Sequence, residues 1–268
     1  MQKPLATALL VVILACAAYW LFMPRDLPDA TPPATPAIRQ PTAPSTVDRH
    51  PVLQDDAPLT ATPTPQAVMP ATADDDLVAP PTTLDGSDSV VLDAVNELSA
   101  DVVAWLLPQE QVRKWVVLVN ALADGKVPVK DRPLEYPLPA FKAQEKDGSL
   151  WLDRANYGRT TTLIKALTRM PPSRVARHYA AWQPLLQQAQ DELGNGADFD
   201  ERLHTAIDRI LAIRPRTGMI ELKAGVLKFT YADPQMEKAS AVEKMLWRLG
   251  PSNTLRIQNY LRDLKPLL

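Results

Sequence analysis

The sequence predicts a mainly α protein in three parts: an N-terminal transmembrane helix, a disordered Pro-rich spacer, and one helical domain with two short β-hairpins. Three observations predict it. Residues 5–23, from Leu5 to Met23, make a run of 19 without a charge. Residues 24–83 hold 14 of the chain's 27 prolines and none of its 9 glycines. From residue 84 to residue 268, apolar side chains recur at helical spacing in one segment after another.

A run of 19 is close to the ~20 residues that cross a bilayer core as a helix. A secretory signal also begins with a basic tip and an apolar core, but such cores run ~7–15 residues. Tyr19 and Trp20 stand near the far end, where amphipathic aromatics anchor at an interface. Ile13-Leu14-Ala15-Cys16 loosely matches a lipoprotein cleavage box, yet Ala17 to Met23 stays apolar where a lipoprotein turns polar. Either outcome leaves the rest of the chain tethered. Lys3 precedes the run, and Arg25 after it is soon followed by Asp26 and Asp29, so the positive-inside rule favours a cytoplasmic N-terminus and an exported C-terminal domain. Cys16 is the single cysteine, so no disulfide framework is possible within one chain.

Residues 24–83 are rich in Pro, Thr and Ala. Proline fixes φ and biases its predecessor to extended conformations, which predicts a semi-rigid, disordered spacer. Its 60 residues would reach ~190 Å fully stretched and average ~45 Å as a flexible coil. Three arginines stand against eight acids, with Asp74-Asp75-Asp76 the densest patch.

The domain at 84–268 has 25 basic and 23 acidic residues, a balance that argues against nucleic acid as a partner. Ser87 or Asp88 is placed to cap a helix holding Leu92, Val95 and Leu98. Val112, Trp115, Val116, Val119 and Leu122 mark one face of the next. A hairpin follows over 140–153 with Asp147-Gly148 as its turn. Leu163, Ile164, Leu167 and Met170 form a further stripe. Val175, Tyr179, Trp182, Leu186, Ala189 and Leu193 form a long one, ending at Gly194 as C-cap and interrupted by Pro184, which should kink or restart the helix. Leu203, Ile207, Ile210 and Leu211 share a face begun by Asp198 or Asp200 as cap. Residues 219–231 read as a second hairpin turning at Ala224-Gly225. Asp233-Pro234 starts a helix, Val242, Met245, Leu246 and Leu249 mark one that stops at Gly250-Pro251, and Ile257, Tyr260, Leu261, Leu264 and Leu268 finish the chain.

Several segments in this order resemble a known family. They are Asn156-Tyr157-Gly158-Arg159, Pro184-Leu185 running to Leu193-Gly194, Phe199 to Leu203 with Ile207-Asp208, Phe229 to Pro234, and Glu243 to Leu246 with Arg248-Leu249-Gly250. Together they resemble the DUF3014 family, a proteobacterial domain of unknown function, over about residues 84–268. Gln190 and Leu249 depart from it, standing where the family often has Tyr and Met. The resemblance implies a Gram-negative envelope setting, with the anchor in the inner membrane and the domain in the periplasm. It carries no activity and no site.

Chemistry is sparse. The domain offers His178 and His204 and no cysteine, and it has no nucleophile elbow, zincin motif or phosphate-cradling glycine loop. Glu201-x-x-His204 shares a helix face, as in di-iron bundles, but a second such pair and two more glutamates would be needed. No metal and no cofactor are implied. Asn156, Tyr157 and Arg159 open a helix after a hairpin, where they either line a groove or tie the turn to the domain. From Arg154 to Gln190 there are six bases (Arg154, Arg159, Lys165, Arg169, Arg174, Arg177) and no acid, and from Asp191 to Asp208 six acids and one base. Those two runs either pair with one another or leave a basic face for an anionic partner. Arg202 with Asp208 is a further candidate pair. The binding residues expected from this reading are Arg154, Asn156, Tyr157, Arg159 and Arg169. The function expected is a membrane-anchored, non-catalytic interaction or scaffold module that meets an envelope protein or cell-wall partner. The alternative is an enzyme acting on an envelope polymer or lipid through carboxylates such as Glu201, Asp208 or Asp233.

Overall fold

The computed structural model describes residues 77–225 and 228–268. The expected membrane segment and residues 24–76 of the expected spacer lie outside them, and among the described residues no helix is long and apolar enough to cross a membrane. The folded region begins before Leu84. The Val78 N–H donates to Glu97 (3.3 Å), and its carbonyl accepts the Trp182 indole N–H (3.1 Å).

Helix α1 (Asp88–Leu98) buries Val91, Ala94, Val95 and Leu98, with Leu92 only half-buried. Neither expected cap acts on it. Ser87 holds the N-cap position without a side-chain bond, and Asp88 reaches across to helix α3 (Gln111–Ala123), accepting the N–H groups of Glu110 (3.0 Å) and Gln111 (2.8 Å). A short α2 (Ala100–Val103) lies between them in the chain. No residue of α3 is fully exposed, and Trp115, Val116, Leu118, Val119 and Leu122 are sealed from solvent.

Strands β1 (Ala143–Lys146) and β2 (Ser149–Leu152) form the first hairpin. Asp147 and Gly148 both take positive φ (53° and 75°), as a two-residue hairpin turn that follows the sheet's twist requires. Strands β3 (Glu221–Ala224) and β4 (Phe229–Tyr231) form the second. Its pairing continues past Ala224, since the Gly225 N–H donates to the Lys228 carbonyl (3.0 Å), so Ala224-Gly225 is not the turn; Val226 and Leu227 lie outside the described residues. The hairpins are not separate. β2 pairs antiparallel with β3, Leu150 opposite Leu222, giving one four-stranded sheet in the order β1-β2-β3-β4. Each hairpin alone would be marginal in water, and joined they share a buried face at Leu152, Leu222 and Tyr231.

Between β2 and β3 run a 3₁₀ helix (Arg154–Thr160), α4 (Thr161–Thr168), α5 (Pro172–Asp191) and α6 (Phe199–Ala212). α5 runs through Pro184 rather than restarting there. It ends before Leu193, which is 42% exposed, so the buried stripe closes at Ala189, while Gly194 takes positive φ in the turn beyond. Asp198 caps α6 by accepting the Glu201 N–H (3.0 Å). The Tyr179 hydroxyl donates to Asp200 (2.8 Å), and burial first, then Asp200, pushes its pKa up. After β4, Asp233 caps α7 (Pro234–Lys238), and Ser240 and Glu243 form a capping box on α8 (Ala241–Leu249). α9 (Pro251–Leu264) and a 3₁₀ turn (Lys265–Leu267) complete the domain.

Gly250 separates α8 from α9 with φ 82° and ψ 161°, a conformation nearly reserved for glycine. A Cβ there would sit 2.4 Å from Cγ of Tyr157, whose ring covers it. Gly250→Ala should therefore lower stability by about 3 kcal/mol, part from backbone strain and part from overpacking. Denaturant melts of Gly250→Ala in wild-type and Tyr157→Ala backgrounds check this: the cost should shrink where the ring is gone. A fragment starting at residue 84 should be ~1–3 kcal/mol less stable than one starting at residue 77, since it loses both Val78 bonds; urea midpoints of the two compare directly.

Two ion pairs tie α3 and α6 to the elements around them. Arg113 holds Glu192 (2.6 Å), and Arg202 holds Asp124 (2.5 Å). In each case the arginine's hydrogen bond is the main cause holding the carboxyl below its usual range. At neutral pH this stabilisation is fully present. It is lost as pH falls below ~4, because the unfolded chain takes up those protons first. Both carboxylates are half-exposed, so each contribution is small. Thermal melts between pH 6 and pH 3 should show a shallower acid limb for Asp124→Asn and Glu192→Gln than for the wild type.

Candidate functional site

The expected binding residues cluster at the 3₁₀ helix, where most are occupied with holding the turn. Asn156 is buried. Its Oδ1 accepts the Lys142 N–H (2.9 Å), and its Nδ2 donates to the carbonyls of Lys142 (2.6 Å) and Asp153 (2.8 Å). It thus takes the place of a backbone partner at the base of the first hairpin. Tyr157 covers Gly250 with its ring, its carbonyl accepts the Asn253 side chain (2.8 Å), and burial pushes its hydroxyl up. Arg159 Nε donates to the Pro139 carbonyl (2.7 Å) with its guanidinium 5.9 Å from the Phe141 ring centre. Burial pushes its pKa down, and its Nη1 is buried with no hydrogen-bond partner among the described residues. Arg154 is exposed at the start of this helix, and Arg169 is exposed at the opposite end of α4. The structure therefore gathers Asn156, Tyr157 and Arg159 and leaves Arg169 apart.

The candidate acids do not converge either. Asp233 accepts the Gln235 N–H (2.8 Å) as a cap, Asp208 pairs with Lys265, and Glu201 is exposed on α6. Arg202 turns from Asp208 to Asn120 (2.9 Å) and Asp124, because the C-terminal end of buried α3 needs donors. Ion pairs from the two charge runs reach outside them: Arg174 meets Glu97 (2.8 Å), Glu192 meets Arg113, and Asp208 meets Lys265. Glu97 also lies 2.9 Å from Nε2 of buried His178. His204 lies 3.8 Å from Asp200, and among the described residues no group of three or more His, Cys, Asp or Glu side chains is placed to hold a metal.

Two of the segments that carry the family resemblance, Phe229 to Pro234 and Glu243 to Gly250, meet in one joint. The Tyr231 hydroxyl accepts from Arg248 Nε (3.1 Å), with that guanidinium 5.1 Å from the ring centre. Burial pushes Tyr231 up and Arg248 down. Glu237 accepts the Tyr231 N–H (2.9 Å) and Lys244 Nζ (3.2 Å), and these bonds with their cations outweigh its burial and hold it below the usual range.

Beside Trp247 lies an open groove of about 1020 Å³ between α6, the 213–217 segment and α8. Each wall is fixed by a bond to a helix end or loop carbonyl. Buried Gln258 of α9 donates to the carbonyls of Ile210 (2.8 Å) and Ile213 (2.7 Å), closing α6. The Trp247 indole N–H donates to the Arg214 carbonyl (3.2 Å). Arg209 Nε donates to the Ala123 carbonyl (3.0 Å), and the Val242 N–H to that of Gly125 (3.3 Å). The guanidinium of Arg216 lies 4.9 Å from the Trp247 ring centre. Of the groove's acids, Asp208 is paired with Lys265 and Glu243 is bound to Ser240. Arg209, Arg214 and Arg216 are exposed, and neither Arg214 nor Arg216 has a carboxylate partner among the described residues. Sequence reasoning missed these arginines. The signal was Arg214-Pro215-Arg216, a basic stretch held extended by proline between a helix and a strand. Trp247, 31 residues after Arg216 in the chain, carried no local sign of facing it.

No curated protein matches this chain, and no solved structure does. One family model matches residues 111–265, from the start of α3 to the end of α9, more than half of the chain. With the ordered segments now seen meeting in one fold, that match places the chain in the family described as protein of unknown function (DUF3014).

Proposed function

We propose that this chain is a membrane-anchored periplasmic protein of the bacterial cell envelope, and that its helical domain is a non-catalytic interaction module. Residues 5–23 would sit in the inner membrane with the N-terminus cytoplasmic. The supports for that placement are the uncharged run, its flanking charges and the proline-rich stretch behind it. The observation that carries the interaction role is the groove beside Trp247. It is wide, open and lined by arginines, and the acids at its edge are already bound. Binding surfaces are commonly built from Trp, Tyr and Arg, whereas acid–base chemistry on a polymer wants two free carboxylates facing each other across a cleft.

Crosslinking in native envelopes, followed by recovery of the full chain through its C-terminus and mass spectrometry, tests the reading. One dominant envelope protein should be recovered with the wild type and lost with Arg214→Glu/Arg216→Glu. The exposed pair Arg154→Glu/Arg169→Glu serves as the comparison for the face expected from sequence. Recovery that neither pair changes would remove the arginine faces as docking sites and redirect the search to a polymer substrate.

A further inference from the structure

We propose that the groove beside Trp247 seats an extended acidic segment of a partner protein, gripped by Arg214 and Arg216 through alternate side chains of that segment. The proposal rests on the reading of the domain as an interaction module and names the partner's chemistry.

Geometry comes first. Ile213 leaves α6 in an extended conformation (φ −75°, ψ 124°), and Pro215 biases Arg214 the same way. In extended backbone, side chains two apart point to the same side and are spaced ~6.6 Å. Arg214 and Arg216 both line the groove, together with Ile213, Pro215 and Thr217 of the same extended stretch. An extended peptide carrying Glu or Asp at every second position presents carboxylates at the same ~6.6 Å repeat. Guanidinium binds carboxylate through two parallel N–H donors, so two arginines in register with two carboxylates also fix direction and position.

Preorganisation comes second. Arg216 is stacked on Trp247, whose indole N–H is tied to the carbonyl of Arg214. Trp247 also packs edge-on against Tyr231, ring centres 6.2 Å apart at 74°. Arg209 adds a third cation, pinned through Nε to the end of α3. Arg216 and Arg209 are thus held in place before a ligand arrives, and the backbone of Arg214 with them, which lowers the entropy cost of binding. The groove's shape also separates a peptide from a lipid surface. A membrane contact needs an apolar fringe that can enter the headgroup region. Trp247 is only 5% exposed and covered by Arg216.

The test uses the full chain reconstituted in phosphatidylcholine nanodiscs at low salt, with fluorescence anisotropy for the peptides, isothermal titration calorimetry for phosphate and co-flotation for the vesicles. The probes are a fluorescein-labelled peptide alternating Glu and Ser, the same composition with its Glu residues grouped in one block, inorganic phosphate, and vesicles of phosphatidylglycerol. The alternating peptide should bind, and bind more tightly than the block peptide. Arg214→Glu/Arg216→Glu should weaken it about tenfold or more, while Arg214→Lys/Arg216→Lys should weaken it less and lose the preference for the alternating peptide over the block peptide. Arg214→Glu alone, which leaves the Arg216–Trp247 stack in place, should weaken it with an unchanged thermal melt. Equal affinity for wild type and Arg214→Glu/Arg216→Glu overturns the proposal. So does arginine-dependent binding of the vesicles or of phosphate without binding of the peptide. If the peptides fail while the crosslinked partner is still lost with the same arginines, the acidic-segment proposal falls and the docking role stands. If no partner is lost either, both fall.

Discussion

The packing of helix α3 into the core, with Trp115, Val116, Leu118, Val119 and Leu122 sealed from solvent, is the constraint on which the rest of the domain depends. A helix leaves four N–H groups and four carbonyls without partners at its ends, and burying them unpaired is costly. Glu110 and Asp124, which flank α3, are exposed, yet neighbouring elements supply side-chain partners to the backbone at both ends. Asp88 of α1 takes the N–H groups of Glu110 and Gln111. Arg202 and Arg209, both on α6, take the carbonyls of Asn120 (2.8 Å) and Ala123 (3.0 Å). Two arginines on one helix thus fix the axis and rotation of α6 against α3. The first of them reaches Asp124 as well, which makes that end charge-assisted.

The groove is a consequence of that arrangement. Once Arg209 is committed to α3, the last turn of α6 lies along the edge of the domain, and its own carbonyls need donors. Gln258 of α9 meets the carbonyls of Ile210 and Ile213 from inside. The chain must then leave α6 outward and extended, with proline holding it so. Trp247 clasps the departing strand by its indole N–H. Three helices and one loop are therefore locked by backbone carbonyls that cannot be left bare, and Arg214 and Arg216 project from the part that faces outward. The rigidity of the site is inherited from the hydrogen-bond accounting of the core.

What was legible in the sequence is what depends on near neighbours. Helical stripes such as Val112 to Leu122 and Val242 to Leu249 give buried faces, because apolar spacing and helix pitch are both local. Asp198 and Asp233 act as caps because the N–H they bind lies two or three residues on. Asp147-Gly148 turns because both residues tolerate positive φ. What was not legible depends on distant chain. Asp88 looks like a cap for its own helix and caps one 23 residues away. The two hairpins read as separate because about 70 residues, most of them helical, stand between β2 and β3. Leu193 fits the stripe by spacing, but the helix has ended and its side chain faces water.

The same distinction separates the arginines. Arg159 and Arg216 each lie against an aromatic ring, Phe141 at 5.9 Å and Trp247 at 4.9 Å. Sequence alone favours Arg159, which follows Asn156 and Tyr157 in a turn of polar residues. The structure separates the two by where their donors go. Arg159 spends Nε on the Pro139 carbonyl and is half-buried, and burial opposes its charge. Reversing it would break a turn, and any loss of binding would then report on folding. Arg216 is exposed, and its described contact is the face of an indole, which leaves its N–H fork free for an incoming carboxylate. An arginine is a candidate for recognition when the fold has fixed its position without consuming its donors, and in this domain Arg216 meets that condition through Trp247, with Arg214 set beside it by the indole's bond to its carbonyl.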